Sequence, residues 1–177
     1  MRLAGALVGA LALAALPSTA LADIGDPIDT PTPPKGCNSY TGYNADDDYS
    51  AKLEICFTTK RQYSADLGAE IDAPAVSVTA TCWHKTMLLW SEAGHCDWTG
   101  DLAMTKDGLR AWKEHWGMKT EATHQGARTQ SDHYRCRGNG TYTLTLDNIT
   151  MEVSNNGVTN DYHKVPMKSV SVTGKGC

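Results

Sequence analysis

The sequence contains little that would specify a reaction. Glu114-His115 stands alone, without the second histidine of an H-E-x-x-H helix, and there is no G-x-S-x-G elbow and no S-x-x-K. No Cys-x-x-Cys pair occurs, which argues against a zinc thiolate site. Lysines and arginines are not clustered, so the basic face that nucleic acid requires is missing. The most apolar run, Leu3 to Leu16, is shorter than the roughly 18 residues a membrane helix needs. No membrane span, no metal and no cofactor is expected, and no residue is assigned a catalytic role.

What is present reads as export. Arg2, the Leu3–Leu16 run, Pro17 and Ala20-Leu21-Ala22 have the form of a secretory signal with an A-x-A cleavage site, which places residues 1–22 in a signal peptide. No cysteine follows the site, as a lipoprotein anchor would require. The net charge is −4, one more negative once Arg2 is removed, giving a mildly acidic surface. Cys37, Cys56, Cys82, Cys96, Cys136 and Cys177 all lie in the exported part, and an even count after a signal peptide reads as disulfides. Residues 23–36, with Pro27, Pro31, Pro33 and Pro34, read as an extended tether. Residues 37–177 then form a single domain. The expected location is secreted: extracellular, or periplasmic in a Gram-negative host.

The domain is expected to be all-β. In residues 75–104, Val76, Val78, Ala80 and Cys82 alternate with Ser77, Thr79 and Thr81, the period of a half-buried strand. After Glu92-Ala-Gly94 the alternation resumes through Cys96, Trp98, Leu102 and Met104, so both cysteines fall on the apolar face. Residues 51–60 set Leu53, Ile55 and Phe57 on one face and Cys56 on the other, where it can tie down the preceding loop through Cys37. A four-residue turn at 105–108 would put Met104 opposite Leu109 and Leu102 opposite Ala111. Residues 109–118 read as a strand, 61–74 and 119–132 as polar connections. Residues 133–146 read as a strand whose phase shifts at Asp147-Asn148, a bulge or turn signal, and 158–163 and 168–174 read as the last strands. Strands at this spacing mean an antiparallel sandwich or barrel. Of fifteen pairings, the set favoured is Cys37–Cys56, Cys82–Cys96 and Cys136–Cys177.

The order Cys82, Trp98, Tyr134-Arg-Cys136 resembles that of immunoglobulin-like sandwiches. The resemblance implies a disulfide-stapled sandwich of that or a related kind, and an alternative Cys82–Cys136 pair. It covers three landmarks, and the chain after Cys136 is longer than one closing strand.

Three functions stay open. The first is a non-catalytic binding protein for an extracellular glycan or protein surface, using Trp83, Trp112 and Trp116. On the strand reading these side chains point outward, with Trp112 and Trp116 roughly 13 Å apart on one face. The second is an inhibitor of a secreted enzyme that presents a rigid loop such as 84–95 or 119–132. The third is a small secreted hydrolase using His84, His95 and Asp97, should these converge beside the Cys82–Cys96 bridge. Asn44, Asp46 and Asp48 resemble the opening of an EF-hand loop, but Tyr49 and Ile55 stand where its glycine and glutamate belong.

Overall fold

The computed structural model describes residues 35–65, 68–119, 128–133, 138–156 and 161–176, with the side chains of 62, 64, 128–133 and 176 left aside. Residues 1–34, which the sequence reading assigns to a signal and most of a tether, lie outside the described residues, as do Cys136, Cys177 and any pairing of those two cysteines.

The alternation read in the sequence drives two antiparallel five-stranded sheets. The first contains β1 (Cys37–Tyr43), β2 (Tyr49–Ser64), β3 (Ala69–Thr86) and β4 (Leu89–Glu92). Its fifth strand, β7 (Arg128–His133), pairs with Ala75–Ala80 of β3. The second contains β5 (His95–Lys106), β6 (Leu109–Met118), β8 (Gly140–Ser154), β9 (His163–Lys164) and β10 (Val170–Gly176), in the order β10-β8-β5-β6 with β9 also on β8. Leu53, Ile55, Val76 and Val78 from the first sheet and Trp98, Leu102, Leu144 and Leu146 from the second belong to one buried cluster. Among the described residues no helix is long and apolar enough to cross a membrane.

Both disulfides within the described residues match the favoured set. Cys37 and Cys56 stand directly across the β1–β2 ladder. Cys82 on β3 and Cys96 on β5 join the two sheets, each 2 % exposed, with Cys82 Sγ 3.7 Å from Met151 Sδ. Two intramolecular disulfides are consistent with an extracellular location, because such bonds persist in oxidising compartments.

Several connections differ from the sequence reading. Residues 61–74 are not a polar connection: β2 and β3 stay paired from Thr58↔Ala75 out to Ser64↔Ala69, a two-stranded extension of the sheet in which Ala73 and Ala75 are still buried. Part of 119–132 is β7, whose polar sequence RTQSDH hides its pairing. The β5–β6 turn has two residues, Asp107 and Gly108, both at positive φ, as a tight primed turn requires. Ala111 then bulges out of register, so Met104 faces Trp112 and Leu102 faces Glu114. The phase shift at Asp147-Asn148 is a bulge inside one continuous strand, with Asn148 at φ 51°.

Candidate functional site

The bulge at Ala111 decides where the tryptophans lie. Trp112 and Trp116 are cross-strand partners of Met104 and Gly100, and therefore share the inward face of the second sheet. Trp116 is 4 % exposed and belongs to the buried cluster, while Trp112 is half-buried against it. The outward platform expected of this pair is absent. Trp83 is half-buried on β3, opposite Glu92 and Ser50. The surface chemistry of β6 is on its other face, where Lys113 and His115 stand opposite Ala103 and Asp101.

His84, His95 and Asp97 do not converge. His84 shares the inward parity of Cys82 and lies across from Tyr49. His95 and Asp97 lie on the outward face of the second sheet, opposite Ser154 and Glu152. His95 is 4 % exposed, and the Tyr162 ring meets it edge-on at 6.2 Å. Cys37, Glu54 and Cys56 group their ligand atoms within 4.8 Å, but the disulfide takes both thiols. In the 44–48 loop, the Asn44 amide donates to Asp48 Oδ1 at 2.6 Å and accepts from the Asp48 and Tyr49 amides. Those side chains are used to shape the loop itself.

Asp101 ties three strands together. Its carboxylate accepts from Lys113 Nζ at 2.8 Å, from Asn148 Nδ2 at 2.9 Å and from His115 Nδ1 at 3.1 Å. The Lys113 ammonium first, then the Asn148 amide and the His115 ring, hold the carboxyl well below the usual carboxylate range. Such a group is a poor proton acceptor near neutral pH. It acts as a clasp that fixes the bulge of β8 to β6. A depressed carboxyl stabilises the fold above its unfolded value of about 3.9 and loses that contribution as pH falls toward its folded value. Asp101→Asn should therefore melt below the parent protein at pH 6, and the gap should narrow as the pH is lowered to about 2. A gap that does not change with pH, in melting curves run across that range, would contradict the clasp.

The feature that sequence reasoning missed is the β3–β4 turn. Thr86 pairs with Leu89, leaving Met87 and Leu88 as a two-residue loop with Met87 at φ 60°. A turn of this kind ordinarily takes Gly, Asn or Asp. Here Met87 is 93 % exposed, Leu88 87 % and Leu89 64 %. Three consecutive large apolar side chains thus stand in water, one of them on a residue in the left-handed region. The signal was in the sequence: Met87-Leu88-Leu89 breaks the alternation where a turn was needed.

The stalk below this tip is braced on several sides. Trp90 is buried, meets Tyr43 edge-on at 5.9 Å, and has Lys85 Nζ 5.3 Å from its ring centre. The Lys85 amide donates to the Asp48 carbonyl at 2.7 Å, and its ammonium lies 3.3 Å from Asp47. The acidic 46–48 loop is therefore bonded to the stalk one residue short of the turn. Cys82–Cys96 closes its base.

Hollows also lie elsewhere among the described residues. One of about 660 Å³ is bordered by Lys35, Phe57, Thr141, Thr173 and Lys175. There Gly174 packs so closely on Phe57 that an added Cβ would fall 2.0 Å from the ring. Another, about 510 Å³, lies on the outward face of the second sheet near the other end of β8. No family model, no curated protein and no solved structure matches this chain.

Proposed function

We propose that the chain is exported, loses residues 1–22, and acts as a non-catalytic binding protein. Its scaffold is a disulfide-stapled β-sandwich, and its partner is an extracellular protein engaged by the 86–89 tip. The observation that carries this reading is the exposure of Met87, Leu88 and Leu89 on a braced hairpin. A stalk already held by a disulfide and by Trp90 has little freedom left to lose on binding, which favours affinity. The surroundings define the partner further. Asp46 and Asp47 are exposed beside the tip, and Lys85, the nearby cation, is already paired with Asp47. An apolar knob next to an acidic shelf fits an apolar pocket with a cationic rim. An inhibitor would use the same knob, so that reading differs only in whether the pocket belongs to an enzyme.

Leu88→Asp should leave the melting temperature unchanged, because the residue packs against nothing, yet weaken partner retention by roughly thirtyfold, the scale of a hot-spot residue. The check is to compare the parent and Leu88→Asp chains, each immobilised, against the extracellular proteins of the host at rising salt. A protein held by the parent, released by the variant and weakened by salt supports the proposal. The same proteins held equally by both chains would refute it.

A further inference from the structure

The outward face of the second sheet carries a second feature, independent of the hairpin tip. Antiparallel register sets Asp97 opposite Glu152 and, one row along, Thr99 opposite Thr150. Directly opposed residues on neighbouring strands keep their Cβ atoms about 5 Å apart, so the two carboxylates are neighbours, as are the two hydroxyls. Gly117 is the partner of Thr99 on β6. A Cβ there would lie 2.8 Å from Thr99 Cγ2 and 3.0 Å from the Trp98 carbonyl, so this position stays bare. Beyond it, Met118 and Lys119 bound one side of the 510 Å³ groove and Tyr162 bounds the other. The volume is within the about 300–1,000 Å³ range typical of small-ligand sites.

Tyr162 is held in place. Its ring rests against buried His95 across the small, fully buried Ser154. Burial first, then the charges of Asp97 and Glu152, push its phenol up, so the hydroxyl stays protonated beside two acceptors. Along the same face, four residues from Asp97, the Asp101 clasp closes the next row with Lys113 and His115 already engaged.

We infer that this groove binds a saccharide. A sugar ring offers hydroxyl donors in adjacent pairs and an apolar face of C–H groups. The paired carboxylates accept the hydroxyls in short charge-assisted bonds, the threonine floor can donate or accept, and the tyrosine ring supplies an apolar surface. The groove sets these polar groups beside apolar surface from Met118 and Tyr162, a mixture that suits a ring with both hydroxyls and C–H faces. Glu152 also faces Lys164 across the β8–β9 ladder, so two carboxylates stand against the Lys119 and Lys164 ammoniums and leave no net positive charge to attract a phosphate or a sulfate.

The test is titration of the full chain with chitohexaose, cellohexaose, laminarihexaose and mannohexaose, each followed by calorimetry. At least one should bind saturably at millimolar concentration or below. Glu152→Gln, which keeps shape and removes charge, and Tyr162→Ala should each weaken that sugar about tenfold or more. Leu88→Asp should bind it as the parent does, so loss of the hairpin reading and loss of this one are separable. Absence of binding by all four sugars, or binding that survives both groove variants, would overturn the inference. So would a groove that takes calcium chloride alone and no sugar.

Discussion

Trp116→Ala is expected to destabilise the fold by about 3–5 kcal/mol, the cost of removing a buried tryptophan. At about 2–4 °C per kcal/mol for a chain of this size, the melting temperature should fall by roughly 10 °C. The indole stands across from Gly100, which has no side chain to keep it off the core, and it belongs to the cluster that both sheets share. Its Nε1 donates to Glu114 Oε2 at 3.2 Å, so the one polar atom is satisfied at the edge. Trp112, half-buried on the same face, should cost less when replaced. Thermal and urea melts of the two variants would show this order. A Trp116→Ala chain that melts within a degree of the parent would mean that the indole stands in solvent.

That expectation is the reverse of what the sequence suggests, and one residue accounts for it. Side chains alternate with period two, so a register change of one moves a whole strand's set to the other face. An unbulged β5–β6 hairpin would pair Met104 with Ala111 and turn Trp112 and Trp116 outward. Ala111 bulges, and both turn inward. No local signal marks Ala111, whereas the bulge at Asp147-Asn148 was legible because apolar residues flank it on both sides and visibly change parity. The strands with strong alternation, β2, β3, β5 and β8, were legible for the same reason, as were Cys37–Cys56 and Cys82–Cys96. β7 was not, because its six residues are polar and its pairing is set by β3. The groove was hidden for a further reason: Asp97, Glu152 and Tyr162 are distant in sequence and meet only through the β5–β8 register and the return of β9 to β8.

Breaking Cys82–Cys96 should cost more than breaking Cys37–Cys56, although chain entropy alone ranks them the other way. The first closes a separation of 14 residues and the second one of 19. In the loop-closure account the longer loop is favoured by only about 0.3 kcal/mol. Position outweighs that. Cys37 and Cys56 are half-buried and lie on strands that the β1–β2 ladder already holds together. Cys82 and Cys96 are both 2 % exposed and join different sheets, and Cys82 touches Met151. Replacing both with alanine removes two buried sulfur atoms as well as the cross-link, so a cavity term adds to the entropic one. The Cys82→Ala/Cys96→Ala chain should therefore lose about 2–5 kcal/mol, at the upper part of that range, and Cys37→Ala/Cys56→Ala should lose less. The inter-sheet bond also anchors β3 and β5 on either side of the 86–89 tip. Its loss should let the stalk open without changing a residue of the knob. Hydrogen exchange at the Ala93 amide, which donates to the Cys82 carbonyl at 2.9 Å, should then quicken more than exchange in β8. Equal melting temperatures for the two double variants, or unchanged exchange at Ala93, would show that the sheets hold the stalk without the bond.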